Sequence, residues 1–394
     1  MAVPADTFIL DYSPWVPDFI EELTRPLTAE EAADGVYAPE APPRIAMTGT
    51  YDEMMDYFEG ELVAHYSGGP WAWMSDGSPI VPPTEDRVAK MLTGTSHSPD
   101  EVFEFGRGGK YTATIEKIAV NAVMAGCKPE YMPVVLTIAE NGDVGNYVGD
   151  SSEGWIFVVS GPIAKEIGMN FGFNVLNKGN PANTTLERFA LMMGINLSGV
   201  TYGLNFIERV GTPFYGTIIA ESPNTPWETL RENYGYDYDE SILFQMRDHL
   251  SLIPFQSIEV KNPENLDDVM TGSPEFAAEA FKIGGKEART LLLTPDTARI
   301  WKEKYGMDTM QELQEYFVEN VTKVQGDLDR NYWRIRDKPA SYEPPPYDDT
   351  LVPFTDDPQA FTIIVAGGTG TAWTWGVGGC HPMPLRSYSI DAWR

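Results

Sequence analysis

Three apolar runs constrain this chain more than any other feature. GWIFVVSGP (154–162) is a run of strand length closed by Gly-Pro. EARTLLLTPDTARIWKEKYG (287–306) reads as a buried strand, a turn and a helix, and QAFTIIVAGGTGTAW (359–373) as a buried strand opening into a glycine turn. Such runs are apolar at consecutive positions, so both faces of each strand must be covered. Strands of this kind, separated by helices, build α/β layers. The expected fold class is α/β, with mixed or mostly parallel sheet layers covered by helices and an irregular, Pro- and aromatic-rich N-terminal region.

Three regions are expected. Residues 1–100 wrap the body, with helices over TAEEAADGV (28–36) and YDEMMDYFEGELVAHY (51–66), a loop over 67–83, and a Thr-capped helix TEDRVAKML (84–92). Residues 101–260 form an α/β domain holding a helical hairpin over 110–140. Ile115, Ile118, Ala119, Ala122 and Val123 recur at helical spacing, Gly126 stops the first helix, and Pro129 suits the first turn of the next. FGFNVL (171–176) is predicted as a short strand, 180–199 as a helix, 213–222 as a strand, 241–250 as a helix and 252–260 as a strand. Residues 261–394 form a second α/β unit with the glycine-turn segment, reached through the connector RNYWRIRDKPASYEPPPYDDT (330–350).

Charge narrows the partners. The chain of 394 residues carries 58 Asp and Glu against 28 Lys and Arg, a net charge of -30. Such a surface repels nucleic acid and anionic membrane. No run of 18 apolar residues suggests a membrane span, and the opening MAVPADTFILDYSPW lacks the basic and apolar segments of a secretory signal. A cytoplasmic protein is expected. Two cysteines build neither a disulfide framework nor a Cys-rich zinc site, and the four histidines (His65, His97, His249, His381) stand singly.

The chemistry-bearing candidates gather in four places. Cys127 precedes a helix start beside Lys128, where unsatisfied N–H groups and a neighbouring ammonium favour a thiolate nucleophile, although a small cysteine also fills helix junctions. Glu116 and Glu130 flank the hairpin and are candidates for general acid work. Arg107, Lys110 and Lys117, close to glycines and a helix start, are candidates for holding an anionic substrate group. Asn180 and Asn183 (in NKGNPANTT), with Gly367, Gly368 and Gly370 of the turn after the last apolar strand, complete the candidate binding set. The turn is not a GxGxxG fingerprint, so no dinucleotide is read from it. No metal ligand set and no cofactor is assigned; Cys380-His381 would need ligands from elsewhere.

Several stretches together resemble one family. KYTATIEKIAVNAVMAGCKPEYMPVVL, GPIAKEIGMNFGFN, GNPANTTLERFALMMGINLSG, LLLTPDTARIWKEKYG and IIVAGGTG look like the large-domain part of a bacterial family associated with UGSC-type (Sec/Cys-Gly-Ser-Cys) domains. The likeness runs from about residue 82 to 375, and the block around Cys127 is its most specific part. This chain has no Cys-Gly-Ser-Cys of its own, so the resemblance implies a separate partner chain carrying that motif and an oligomeric assembly. The expected function is a subunit of an enzyme acting on a small polar, anionic molecule with a Cys127 thiol step, in the lyase or oxidoreductase class. The alternatives are a metal-dependent hydrolase or hydratase using His and carboxylate ligands, and a non-catalytic partner of a small redox subunit.

Overall fold

The structure is a computed structural model. It describes residues 25, 44–45, 47–57, 75–76, 78–105, 111–140, 153–198, 216–249, 251–256, 289–320, 322–330, 338–339, 341–353, 356–369, 373–378 and 385–394. The chain divides into two compact units, Met1–Thr50 and Tyr51–Arg394, and all elements below belong to the second.

Residues 51–57 are helical; the remainder of that expected helix, and TAEEAADGV, lie outside the described residues. Helix α1 (Glu85–Leu92) starts after Thr84, whose backbone is extended as a cap requires but whose side chain makes no cap bond. Strands β1 (Val102–Phe105) and β2 (Tyr111–Thr114) pair antiparallel. The expected hairpin follows. In α2 (Ile115–Ala125) the Thr114 side chain accepts from the Lys117 N–H, and Gly126 closes the helix at φ 90°. That left-handed backbone is nearly free for glycine and costly for other residues. A 3₁₀ turn, Pro129–Tyr131, leads into α3 (Met132–Glu140). Pro133 therefore sits in the opening turn of α3, where its missing N–H removes no helical bond.

The body then runs β3 (Glu153–Ser160), α4 (Pro162–Glu166), α5 (Pro181–Ser198), β4 (Gly216–Ala220), α6 (Leu230–Asn233), β5 (Ile242–His249) and β6 (Ser251–Gln256). After it come β7 (Arg289–Leu293), α7 (Pro295–Tyr305), α8 (Met310–Asn320), a small ladder of β8 (Thr322–Val324) with β9 (Leu351–Pro353), then β10 (Phe361–Val365), β11 (Trp373–Gly378) and β12 (Arg386–Ser389).

Two four-stranded mixed sheets result, so the α/β expectation holds. Their orders are β12-β5-β3-β4 and β10-β7-β11-β6. Each has one parallel pair, β3 with β4 and β7 with β10, and two antiparallel joints. Reading from the parallel edge, the sheets have the same succession of strand senses. Their last parallel pairs are Val159–Ala220 and Leu293–Val365, and in this register Thr217-Ile218-Ile219 of β4 corresponds in position to Thr362-Ile363-Ile364 of β10. Each first strand runs through a hydroxyl residue and a proline into a helix. Both helices are followed by a left-handed glycine and a methionine, Gly168-Met169 and Gly306-Met307. The last strand of each sheet comes from the opposite half of the chain: β6 follows β5 but joins the second sheet, and β12 follows β11 but joins the first.

Alternation along the strands sorts the cores. Trp155, Phe157, Val159, Ile218, Ala220 and Leu243 face α1–α5. Ile156, Val158, Ile219 and Phe244 face the other way, onto Leu292 and Ile364 of the second sheet. Leu291, Leu293, Phe361, Ile363 and Val365 bury against α7 and α8, where Trp301, Leu313 and Phe317 meet them. The order of layers is helices, sheet, sheet, helices, and the central stretches of β3, β4, β7 and β10 are apolar at consecutive positions because both of their faces are covered.

The helical hairpin expected over 110–140 starts only at Ile115, because Tyr111–Thr114 pair with β1 as a strand, and two further sequence expectations fail. Residues 241–250 are not helical: 242–249 form β5, laddered on both sides by β3 and β12, with Ile242 and Phe244 toward one core and Leu243 toward the other. FGFNVL is a run of turns rather than a strand, because Asn174 takes a left-handed φ of 58° and Asn170, just before the segment, is held by the Asn183 side chain of α5.

Candidate functional site

Both parallel pairs end on one rim. The Ser222 N–H, just past β4, donates to the carbonyl of Val365, the last residue of β10, at 2.7 Å. The carboxyl ends of parallel strands are where α/β folds place ligands, because loops diverge there and leave strand-end groups unpaired by the ladder.

At the first pair, Ser160 ends β3 and Glu221 follows β4; both side chains are buried. The Glu221 N–H extends the ladder to the Val159 carbonyl at 3.0 Å, which fixes where its side chain starts. The Ser160 hydroxyl donates to Glu221 Oε2, and the Leu230 N–H donates to Oε1 at 2.7 Å. Arg231, also buried, donates from Nη1 to Ser160 Oγ at 3.0 Å and from Nε and Nη2 to the Tyr238 carbonyl at 3.1 and 2.7 Å. Its guanidinium lies 4.8 Å from the centroid of the exposed Tyr238 ring. Burial pushes the Glu221 carboxyl up to about 7; the Ser160 and Leu230 hydrogen bonds and the Arg231 charge pull it down. The result is a carboxyl that gains or loses a proton near neutrality, coupled to a hydroxyl and backed by a cation.

At the second pair, Thr294 follows β7 and caps α7, accepting from the Thr297 N–H at 3.3 Å. The Ala366 N–H extends the ladder to the Leu293 carbonyl at 2.9 Å. Gly367 then takes φ 108°, where a Cβ would touch Thr294 Cγ2 at 3.5 Å. A Cβ on Gly368 would stand 2.2 Å from the ring of Phe173, which is itself exposed. This turn needs glycine, and what the glycines admit is the chain's own Phe173.

The two asparagines share that neighbourhood, but their polar groups hold backbone. Asn183 Oδ1 accepts from the Asn170 N–H at 2.8 Å, and its Nδ2 donates to the carbonyls of Asn170 and Ile218 at 3.1 and 3.0 Å. Asn180 accepts from the Asn183 N–H at 3.1 Å and donates to the Gly168 carbonyl at 3.0 Å. The Gly367 N–H donates to the Phe171 carbonyl at 2.8 Å. Asn183 and Gly367 therefore hold adjacent residues of one loop, Asn170 and Phe171. Gly370 lies outside the described residues.

The hairpin candidates stand elsewhere. Cys127 is half-buried, packs against the first core and donates from Sγ to the Thr185 carbonyl at 3.4 Å. Burial pushes its thiol up to about 12, against the pull of the Thr185 bond and the Arg188 charge. The thiolate-favouring field expected at this junction is opposed by that desolvation, and Lys128 is exposed. Arg188 is itself engaged, holding Asp76 through Nε and Nη2 at 2.8 to 3.0 Å. Glu130 and Lys117 are exposed, and Glu116 is half-buried in the first turn of α2. Arg107 and Lys110 lie outside the described residues.

Among the described residues, no three His, Cys, Asp or Glu side chains gather as a metal ion requires. His65, Cys380 and His381 lie outside them.

Sequence reasoning passed over Ser160, Glu221 and Arg231. One local signal existed: Ser160 and Glu221 are each the first polar residue at the carboxyl end of an apolar strand run. Arg231 had none, since only the turn from α6 to Tyr238 brings it back to Ser160. No family model, no curated protein and no solved structure matches the chain.

Proposed function

We propose that this protein is an enzyme that moves a proton on a small polar, anionic substrate, in the lyase class, at the rim where the parallel strands end. The observation that carries this reading is the buried Ser160–Glu221–Arg231 network at the carboxyl ends of β3 and β4. Glu221 is the acid–base group, because a carboxyl poised near 7 can both accept and return a proton at working pH. Ser160 links it to Arg231, whose charge stabilises the ionised carboxyl. The exposed rings of Tyr238 and Phe173 are apolar surface at the two ends of this rim. Cys127 stands outside the proton path, as a packing residue of the helical layer. A separate chain with a Cys-Gly-Ser-Cys motif remains a proposal resting on the family resemblance. Among the described residues no helix is long and apolar enough to cross a membrane.

The test is a thermal-shift screen of small hydroxy- and amino-carboxylates, followed by turnover assays of the binders. At least one compound is expected to stabilise the wild type and to lose its effect in Arg231→Gln. Glu221→Gln is expected to retain binding and lose turnover by about 10²- to 10⁴-fold, the usual worth of a general acid or base. Turnover that survives Glu221→Gln would overturn the assignment. Turnover abolished by Cys127→Ala, with binding intact, would move the chemistry to the thiol.

A further inference from the structure

The segment that follows the exchanged strand β12 is held from many directions. The Ile390 N–H donates to the Ser241 carbonyl at 2.8 Å, and Asp391 Oδ2 accepts from the Ser241 N–H at 2.7 Å. The Thr95 and Ser96 hydroxyls donate to the carbonyls of Trp393 and Arg394 at 2.8 and 2.6 Å. Trp393 is buried, donates from Nε1 to Glu140 at 2.9 Å and packs against Phe103. Arg394 donates to Glu166 at 2.9 Å and to Asp391 at 2.6 Å.

His97 sits in the middle of these contacts. Its Nδ1 is 2.9 Å from Glu101 Oε2, and its Nε2 is 3.1 Å from the Ala392 carbonyl oxygen. Both partners are acceptors, so both ring nitrogens must carry hydrogen for both bonds to exist, and only the imidazolium does. The ring also lies 4.8 Å from the Trp393 ring. The charged group that faces it directly is Glu101 on its own turn; the other charged groups of the clamp are Glu140 from α3, on Trp393, and Glu166 from α4 and Asp391, both on Arg394.

We propose that His97 is a pH-sensitive latch on Asp391–Arg394 and, through them, on β12, the strand that completes the first sheet. When the imidazolium loses a proton, one nitrogen presents a lone pair to an acceptor and one of its two bonds is lost. Pairing with Glu101 raises the His97 pKa above 6.5, with the Ala392 bond adding to it and burial opposing it. The group holds its proton more strongly folded than unfolded. Its contribution is therefore complete below about 6.5 and lost as pH rises through the folded value.

The experiment is amide hydrogen exchange of the full chain from pH 6 to 9, expressed as protection relative to the intrinsic rate at each pH. Protection at Ile390 and Trp393 is expected to fall about two- to fivefold across this range, the scale of a partly exposed ion pair. Phe157, on β3 between β4 and β5 and not paired with β12, is the invariant reference. In His97→Gln the two amides should be poorly protected at every pH, and in Glu101→Gln the transition should move to lower pH. Flat protection in the wild type, or an unchanged pH response in His97→Gln, would overturn the latch. Should His97→Gln not fold, an unmoved transition in Glu101→Gln would overturn it equally.

Discussion

At the carboxyl end of β4 the chain places Glu221 and Ser222; at the corresponding end of β10 it places Ala366 and Gly367. The strands before them share register and a Thr-Ile-Ile sequence whose isoleucines are buried in both, and the next N–H extends the ladder in both. The same scaffold therefore serves two purposes. The first half buries a carboxyl, which requires Ser160, the Leu230 N–H and Arg231 to replace the water it gave up. The second half needs no such compensation, since a glycine turn exposes no charge and leaves room for Phe173. Chemistry can be asked of the first rim segment, while the second shapes the surface beside it.

The largest expected effect breaks the equivalence at the strand-to-helix joints. Gly161 takes φ 127°, and a Cβ there would stand 2.4 Å from the Glu240 carbonyl oxygen. Its counterpart joint, Thr294-Pro295, is an ordinary capped start. Gly161→Ala should cost about 4 kcal/mol in urea unfolding, from backbone strain and a clash with main chain. Thr294→Ala should cost about 1 kcal/mol, the usual worth of a cap. Equal losses would mean that the two joints are not built differently.

The next effect sharpens the contrast in charge. Glu221 folds with its pKa raised from 4.5 to about 7, so the folded state keeps the proton longer than the unfolded one. Its part of the stability therefore falls as pH rises from about 4.5 to about 7, by about 3 kcal/mol. Glu221→Gln should flatten that interval of the stability curve, and Ala366→Ser should leave it unchanged. A smaller effect concerns the glycine turn. Gly368→Ala should cost about 1 kcal/mol alone and close to nothing in a Phe173→Ala background, a coupling read by a double-mutant cycle. The smallest concerns Cys127. Its alkylation should show no plateau below pH 9, since burial holds the thiol protonated.

Local pattern carried the elements whose burial is one-sided or complete. The hairpin stripe, the Gly126 stop and the strands β3, β7 and β10 all announced themselves, because spacing and punctuation state them outright. ILFQMRDH did not: its apolar residues fit a helix turn as well as a strand, and only ladders to β3 and to the distant β12 decide. The strand exchange was equally silent, because nothing within β5 or β6 says that a turn changes sheets. At the rim, Asn180, Asn183, Gly367 and Gly368 were legible as candidate residues but not as neighbours, and their amides and space are used by the chain itself. Glu221 is one acid among 58 Asp and Glu residues, and its character comes from burial rather than from type.

The most direct test of the proposed proton-carrying group is a ¹³C NMR titration of the glutamate carboxyls, with Glu221 assigned by its absence in Glu221→Gln. A titration centred near 7 would match a carboxyl held ready to exchange its proton at the rim. A midpoint near the ordinary glutamate value of about 4.3 would mean a permanently ionised structural anchor, and the acid–base role would be withdrawn.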